Sequence, residues 1–251
     1  MKKRMNTLDE SRRDLLVRML AAGMYAGASG SGLLLTQHAF AERIGEIPSS
    51  LLQGRSIYKL RGEVTVNGVV ADIDTPITAS DTIKTSDNSY IIFVVAKDAF
   101  ILRSNSELTL EPEEKTEIKD AVVNTLRLFT GKLLSVFGKR SHRMITSTAT
   151  IGIRGTGLYV ESEEERTYAC TCYGTTDISA TSDSSSKETI ISSHHDAPRY
   201  IYANGDTGEL IKAAPFKNHD DIELLLIEEL VGRQPPFPVP GGRRRSSINP
   251  Y

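Results

Sequence analysis

The chain has no tryptophan, only two cysteines and few other aromatic residues, and these shortages exclude several classes of protein. Two cysteines among 251 residues exclude a small domain held together by several disulfides. A basic excess is also lacking, because the formal charge is −2 and becomes −5 without the first 41 residues. Nucleic acid is therefore not an expected partner, since its binding depends on basic side chains that neutralise phosphates. The core must be built from Val, Ile, Leu, Tyr and Phe.

The first 41 residues contain the three parts of an export signal. Arg12 and Arg13 form a twin arginine in a basic start, an apolar run follows, and Ala39-Phe40-Ala41 is a small-x-small exit. Several glycines interrupt the apolar run and lower its hydrophobicity, so a cleaved signal is favoured over an uncleaved membrane anchor. We therefore expect a periplasmic protein that meets the membrane only through this signal.

The rest of the chain is dominated by strand patterns. From Arg55 onward, short segments alternate polar and apolar residues, and turn-forming residues recur roughly every 8 to 12 positions. Asn67-Gly68 is a strong hairpin signal. The segment from Asp220 to Val231 is the convincing helix, with acidic residues at its start. The predicted fold class is all-β, with wrapped antiparallel sheets forming a sandwich or a short solenoid and one C-terminal helix.

These patterns divide the chain into five parts. The boundaries are a twin-arginine signal at 1–41, a linker at 42–59, a β domain at 60–215, a helical segment at 216–232 and a disordered tail rich in Pro and Arg at 233–251.

The most distinctive motif runs from Thr146 to Val160 and reads TSTATIGIRGTGLYV. In a strand, Ile151 and Ile153 share one face. Gly155 and Gly157 flank Thr156 and predict a bulge or a bend in the sheet. Arg154 either binds backbone carbonyls at a buried edge or contacts a ligand, and the structural role is favoured.

This motif resembles the signature of the FecR domain family, whose core corresponds to Ile153, Arg154, Gly155, Thr156 and Gly157. Upstream, Asp81 to Thr85 and Leu128 to Val136 resemble two further elements of the family in the same order, so that the resemblance spans roughly 60–178. It implies a mostly β periplasmic module that senses or scaffolds without chemistry of its own. The cytoplasmic part that controls a sigma factor in such regulators is not expected here, because few residues precede the twin arginine.

A second group of residues has the donor atoms of a metal site. Cys170 and Cys172 alternate in a predicted strand, so both thiols face one side, and a disulfide between them would be strained. They are buried small hydrophobes, ligands of a transition metal, or a redox pair. His194 or His195 would complete a metal site if the strand before them pairs with the cysteine strand. Adjacent histidines in a strand point to opposite faces, so both would not easily bind.

Two functions follow from these observations. The first is a non-enzymatic FecR-like binding, scaffold or sensory module of the cell envelope, without a cofactor, that recognises an envelope protein or a surface polymer. The second is a periplasmic metal-binding protein that uses Cys170 and Cys172 with His194 and His195. No nucleophile motif, phosphate loop or pair of carboxylates at catalytic spacing occurs in the sequence, so no enzymatic activity is expected.

Overall fold

The computed structural model describes residues 55–113 and 123–238, and within these ranges the chain forms 14 strands in one large sheet and a single helix. The all-β expectation with one C-terminal helix is confirmed. The predicted signal, including Arg12, Arg13, Ala39 and Ala41, lies outside the described residues. The elements are β1 Ile57–Arg61, β2 Val64–Val66, β3 Val69–Val70, β4 Thr82–Thr85, β5 Tyr90–Val95, β6 Asp98–Leu102, β7 Ser106–Pro112, β8 Val123–Val136, β9 Ser141–Ile145, β10 Ala149–Ser162, β11 Arg166–Ala180, β12 Lys187–Ser192, β13 Arg199–Tyr202, β14 Ile211–Ala213 and α1 Asp221–Leu230.

The predicted hairpin forms at Asn67-Gly68. These two residues have φ values of 52° and 81°, and they connect the antiparallel strands β2 and β3. Positive φ at both central positions is the requirement of the tight hairpin turn that Asn-Gly favours. The local sequence therefore determines this turn directly.

Three long strands change partners midway, and this gives the sheet its wrapped shape. β8 pairs first with β7 and then with β6 and β10, while β10 pairs first with β9 and then with β8. β11 pairs with β13 through its first half and with β12 through its second. A glycine with positive φ stands at each change, at Gly131, Gly155 and Gly174. Each bend thus occurs where the absence of a side chain permits it.

Some strands are longer than the sequence patterns predict. The alternation of residues predicts separate strands at Val122 to Leu128 and at Lys132 to Phe137, but Val123–Val136 is one continuous strand that passes through Gly131. The predicted antiparallel pairing holds for the other ladders of the described strands, and β8 and β9 pair in parallel. A glycine that bends a strand resembles a strand end in sequence, because both interrupt the alternation of residues.

The sheet has apolar side chains on both faces in its central strands. On one face, residues such as Phe93, Phe100 and Ile153 build the inner core between the two halves of the wrapped sheet. On the opposite face, Ile92, Leu134 and their neighbours build an outer core beneath α1, which contributes Leu224 to Ile227. Because both faces are covered, these strands read as nearly continuous apolar runs rather than as strict alternations.

The helix begins where the sequence predicts. Asp220 is the N-cap, and its side chain accepts a hydrogen bond from the Glu223 backbone N–H at 2.9 Å. The Glu223 carboxylate accepts one in return from the Asp220 backbone N–H at 3.2 Å, which completes a capping box. α1 lies within the predicted helical segment 216–232 and packs against β6 and β8. No helix among the described residues is long and apolar enough to cross a membrane.

The structure differs from the predicted boundaries at both ends of the domain. β1 starts at Ile57, inside the predicted linker. The first residues of the predicted disordered tail are packed: Phe237 is buried, and Arg233 forms an ion pair with Glu228 at 2.6 Å. The remainder of the tail lies outside the described residues. Proline-rich composition indicated disorder here, but one buried aromatic ring anchors 233–238 to the outer core.

We expect Gly157→Ala to destabilise the fold more than Gly155→Ala. A Cβ at Gly155 would meet no atom within 4 Å, so that substitution costs about 1 kcal/mol for the left-handed backbone alone. A Cβ at Gly157 would lie 2.4 Å from Cε1 of Tyr173, whose ring is buried, and such overpacking costs up to about 3 kcal/mol. Urea denaturation of the two variants measures the difference. Equal losses would contradict this account of the motif.

Candidate metal centre

The side chains of four residues converge at the edge of the outer core, and they come from three separate segments. Cys170 and Cys172 lie on β11, where they face the same side as the buried Tyr168. His195 follows β12, and His219 directly precedes the N-cap of α1. β12 pairs with β11, and this pairing allows a histidine after β12 to reach the thiols.

A tight turn directs His195 toward the cysteines. The Asp196 carboxylate accepts a hydrogen bond from the Ser193 backbone N–H at 2.7 Å and a longer one from the His194 N–H. His195 adopts φ 56°, and its backbone N–H donates to the Cys172 carbonyl at 2.9 Å. These hydrogen bonds within Ser193–Asp196 stabilise a turn around the left-handed His195, and the turn brings this residue to the cysteine strand.

A different set of contacts fixes the segment that carries His219. The buried Glu161 carboxylate pairs with Lys217 at 2.5 Å and accepts a hydrogen bond from the Asn218 side chain at 2.6 Å. The His219 ring stacks on the buried Tyr159 ring with a centroid separation of 4.4 Å. The histidine therefore has a fixed position between the sheet and the helix.

The four donor atoms lie close enough together to contact a single ion. Cys170 Sγ lies 3.6 Å from His195 Nδ1, and Cys172 Sγ lies 3.4 Å from His219 Nε2. The two ring nitrogens are 3.1 Å apart, and all four donor atoms lie within 4.8 Å of one another. Tetrahedral coordination with ordinary zinc bond lengths separates such donors by roughly 3.3–3.8 Å. The two sulfur–nitrogen distances fall in this range, and the nitrogen–nitrogen distance is slightly shorter.

The outer nitrogen of each ring has a partner that fixes its tautomer. His219 Nδ1 donates to the Lys217 carbonyl at 2.8 Å, and His195 Nε2 donates to the Asp221 carboxylate at 3.0 Å. In the neutral rings, the two inner nitrogens then carry lone pairs that face each other. These lone pairs can accept hydrogen bonds from the neighbouring thiols, or they can bind a cation. This is the second-shell arrangement of metal-bound histidines.

The electrostatics of the site favour ionisation of one of the two thiols, that of Cys170. Hydrogen bonding from the Cys172 thiol, with His195 and His219, lowers the pKa of Cys170 to about 4 against the opposing effect of burial. Burial raises the pKa of Cys172. Burial acts to lower the pKa of His195, but hydrogen bonds with Asp221 and Cys170 outweigh it and raise the pKa to about 9. These shifts favour ionisation of the Cys170 thiol and protonation of the His195 ring, and a bound cation would compete with that proton.

The adjacent histidines His194 and His195 have different surroundings in the structure. His195 joins the cysteines, whereas the exposed His194 ring contacts Asp221 and the Phe237 ring. His219 was missed by the sequence analysis, because it is remote from Cys172 in the chain and belongs to no local motif. Its position immediately before a capping signal was the only cue, and that cue predicts a helix start rather than a ligand.

The core of the FecR-like motif, Ile153 to Gly157, contributes no donor to this centre, although Tyr159 of the same motif stacks on His219. Ile153 and Thr156 are buried, and the bends predicted at Gly155 and Gly157 occur as register shifts between β10 and β11. Arg154 is exposed and pairs with Asp177 at 2.8 Å, so it does not occupy the buried edge that the sequence suggested. The motif builds the bend in the sheet.

The chain has a partial structural similarity to solved structures of known proteins. The sequence matches no model of a known protein family and no curated protein. Two crystal structures of a "putative anti-sigma factor" from Parabacteroides distasonis, at 1.65 and 2.50 Å resolution, resemble this chain with a TM-score of 0.42 and 11% identity. The alignment covers 53% of this chain and 58% of that protein.

Proposed function

We propose that this protein is an exported, non-enzymatic β module that binds one transition-metal ion through Cys170, Cys172, His195 and His219. The observation that carries the proposal is the convergence of two sulfur and two nitrogen donors within 4.8 Å in a buried position. Two thiolates and two imidazoles in tetrahedral arrangement favour zinc among the common divalent ions.

The proposed site is structural rather than catalytic. Four protein ligands leave no open position for water or substrate, whereas catalytic zinc sites have three protein ligands and a water. A closed site of this type contributes to folding, because it joins segments that are distant in sequence. Here it would connect β11, the turn after β12 and the segment that precedes α1.

In an exported protein the metal would also protect the two thiols from oxidation. Free thiols oxidise in the periplasm, and two cysteines that alternate in a strand lie roughly 6.6 Å apart, near the upper limit for a disulfide. Metal coordination would protect Cys170 and Cys172 from oxidation. A twin-arginine route, which accepts folded proteins, is consistent with a metal that is bound before export.

A regulatory or scaffold role is the second candidate, and it is compatible with the first. It rests on the resemblance of the segment from Thr146 to Val160 to the FecR signature. Under this proposal the domain recognises an envelope protein or a surface polymer, and nucleic acid is not a partner. Affinity capture from envelope extracts with the metal-loaded and metal-free protein tests it, and recovery of neither partner nor glycan in both states would argue against it.

Metal analysis of protein purified from the periplasm tests the first proposal. Elemental analysis is expected to give about one zinc per chain, with both thiols unreactive until the protein is unfolded. Amino-terminal sequencing of the same sample is expected to begin at Glu42. A metal-free protein that also fails to bind added Zn²⁺ or Co²⁺ under reducing conditions would overturn the proposed metal centre.

A further inference from the structure

Asp221 connects the candidate metal centre to the start of α1. It is the first residue of α1, and its carboxylate is half-buried. One carboxylate oxygen accepts a hydrogen bond from His195 Nε2 at 3.0 Å, and the carboxylate also contacts His194 Nε2 at 2.9 and 3.0 Å. None of these contacts reaches the thiols, so Asp221 is a neighbour of the ligands rather than a ligand of the four-residue set.

The contact to His195 determines which nitrogen faces the cysteines. An ionised carboxylate can only accept, so His195 Nε2 must carry a proton. The ring then presents Nδ1 toward Cys170 Sγ and His219 Nε2. Without the carboxylate the other tautomer becomes accessible and the ring loses a contact that limits its rotation.

The helix holds the carboxylate in place. Backbone N–H groups at the start of a helix favour a negative charge there, and Asp221 occupies the first turn. Asp220 supplies the capping hydrogen bond to Glu223, so Asp221 is not needed as the cap. Its carboxylate is directed instead at the two histidine rings, which belong to a different segment of the chain.

We propose that Asp221 is the positioning residue of the metal centre, which holds His195 in the metal-binding tautomer and connects the centre to the first turn of α1. This inference rests on the proposed metal-binding function. A metal on Nδ1 makes the Nε2 proton more acidic and strengthens its hydrogen bond to the carboxylate. Occupancy of the centre thereby stabilises the docking of the helix start, and the docked helix in turn favours metal binding.

The test compares Zn²⁺ affinity and Co²⁺ absorption in the full chain and three variants. Asp221→Asn is expected to weaken Zn²⁺ binding about 10- to 100-fold and to alter the visible Co²⁺ bands. Asp221→Glu, which keeps the charge and an acceptor, is expected to recover most of the affinity. His194→Gln is the matched control, because it removes the other contact of Asp221 but no ligand, and the wild-type affinity and spectrum are expected.

The outcomes separate this inference from the function on which it rests. If the wild type binds both ions and Asp221→Asn binds them with the wild-type affinity and spectrum, the positioning role is overturned and the metal centre stands. If the wild type itself binds neither ion, the metal centre and the positioning role are both overturned. A loss of affinity in His194→Gln equal to that in Asp221→Asn would also overturn the assignment to His195.

Discussion

Replacing Cys172 by serine is expected to abolish stoichiometric zinc binding and the thermal stability that the metal provides. Cys172 is fully buried, and its sulfur lies 3.4 Å from His219 Nε2, so a hydroxyl there can neither reach the same bond length nor ionise as readily. At free zinc 1,000-fold above Kd, the metal adds about 4 kcal/mol to the free energy of unfolding. For a domain of this size that is roughly 8–16 °C in Tm, and Cys172→Ser should lose it.

The measurement is a pair of thermal unfolding curves for each protein, one with excess Zn²⁺ and one with a chelator. The wild type should show the full difference and Cys172→Ser should show none. His194→Gln is again the control, because its exposed ring lies beside the centre without belonging to it. A Cys172→Ser protein that retains one zinc per chain would contradict the ligand set, and a wild type with identical curves would contradict a stabilising metal.

Replacing Arg103 by methionine is the second substitution with a large expected effect. Arg103 Nη2 contacts both oxygens of Glu223 at 2.8 Å, and the two side chains are only 13% and 4% exposed. Methionine fills much of the same volume, but it leaves the Glu223 carboxylate without its cation on the buried face of α1. Breaking a buried pair in this way costs about 3–5 kcal/mol.

Two further variants test whether the loss of stability depends on the burial of the ion pair. Arg154→Met breaks the exposed pair with Asp177, where the side chains are 55% and 49% exposed, and should cost at most about 1 kcal/mol. Adding Glu223→Gln to Arg103→Met removes the buried charge and keeps an acceptor for the Asp220 backbone N–H, so most of the stability should return. Urea denaturation of the metal-loaded proteins gives the values. Similar losses for Arg103→Met and Arg154→Met would refute the proposed importance of the buried pair.

Much of the fold could be predicted from the sequence because its cues are local. Asn67-Gly68 specifies its own turn, and Asp220 with Glu223 specifies the start of the helix. The long strands could not be predicted in the same way. Whether a glycine such as Gly131 ends a strand or bends it depends on the strands on either side, and those partners are remote in the chain.

The candidate site could also be predicted only in part, because its residues are remote from one another in the chain. Cys170 and Cys172 were identifiable because alternation in a strand places both thiols on one face. The choice between His194 and His195 depends on a turn whose left-handed residue the strand pattern did not predict. His219 could not be assigned at all, because only the docking of α1 on the outer core brings it to the cysteines.

X-ray absorption spectroscopy of the zinc-loaded wild-type protein tests the central claim most directly. The account predicts four donors, two sulfurs at about 2.3 Å and two imidazole nitrogens at about 2.0–2.1 Å. A zinc shell of oxygen and nitrogen donors without sulfur would contradict it, because the ion would then be bound elsewhere than between Cys170, Cys172, His195 and His219.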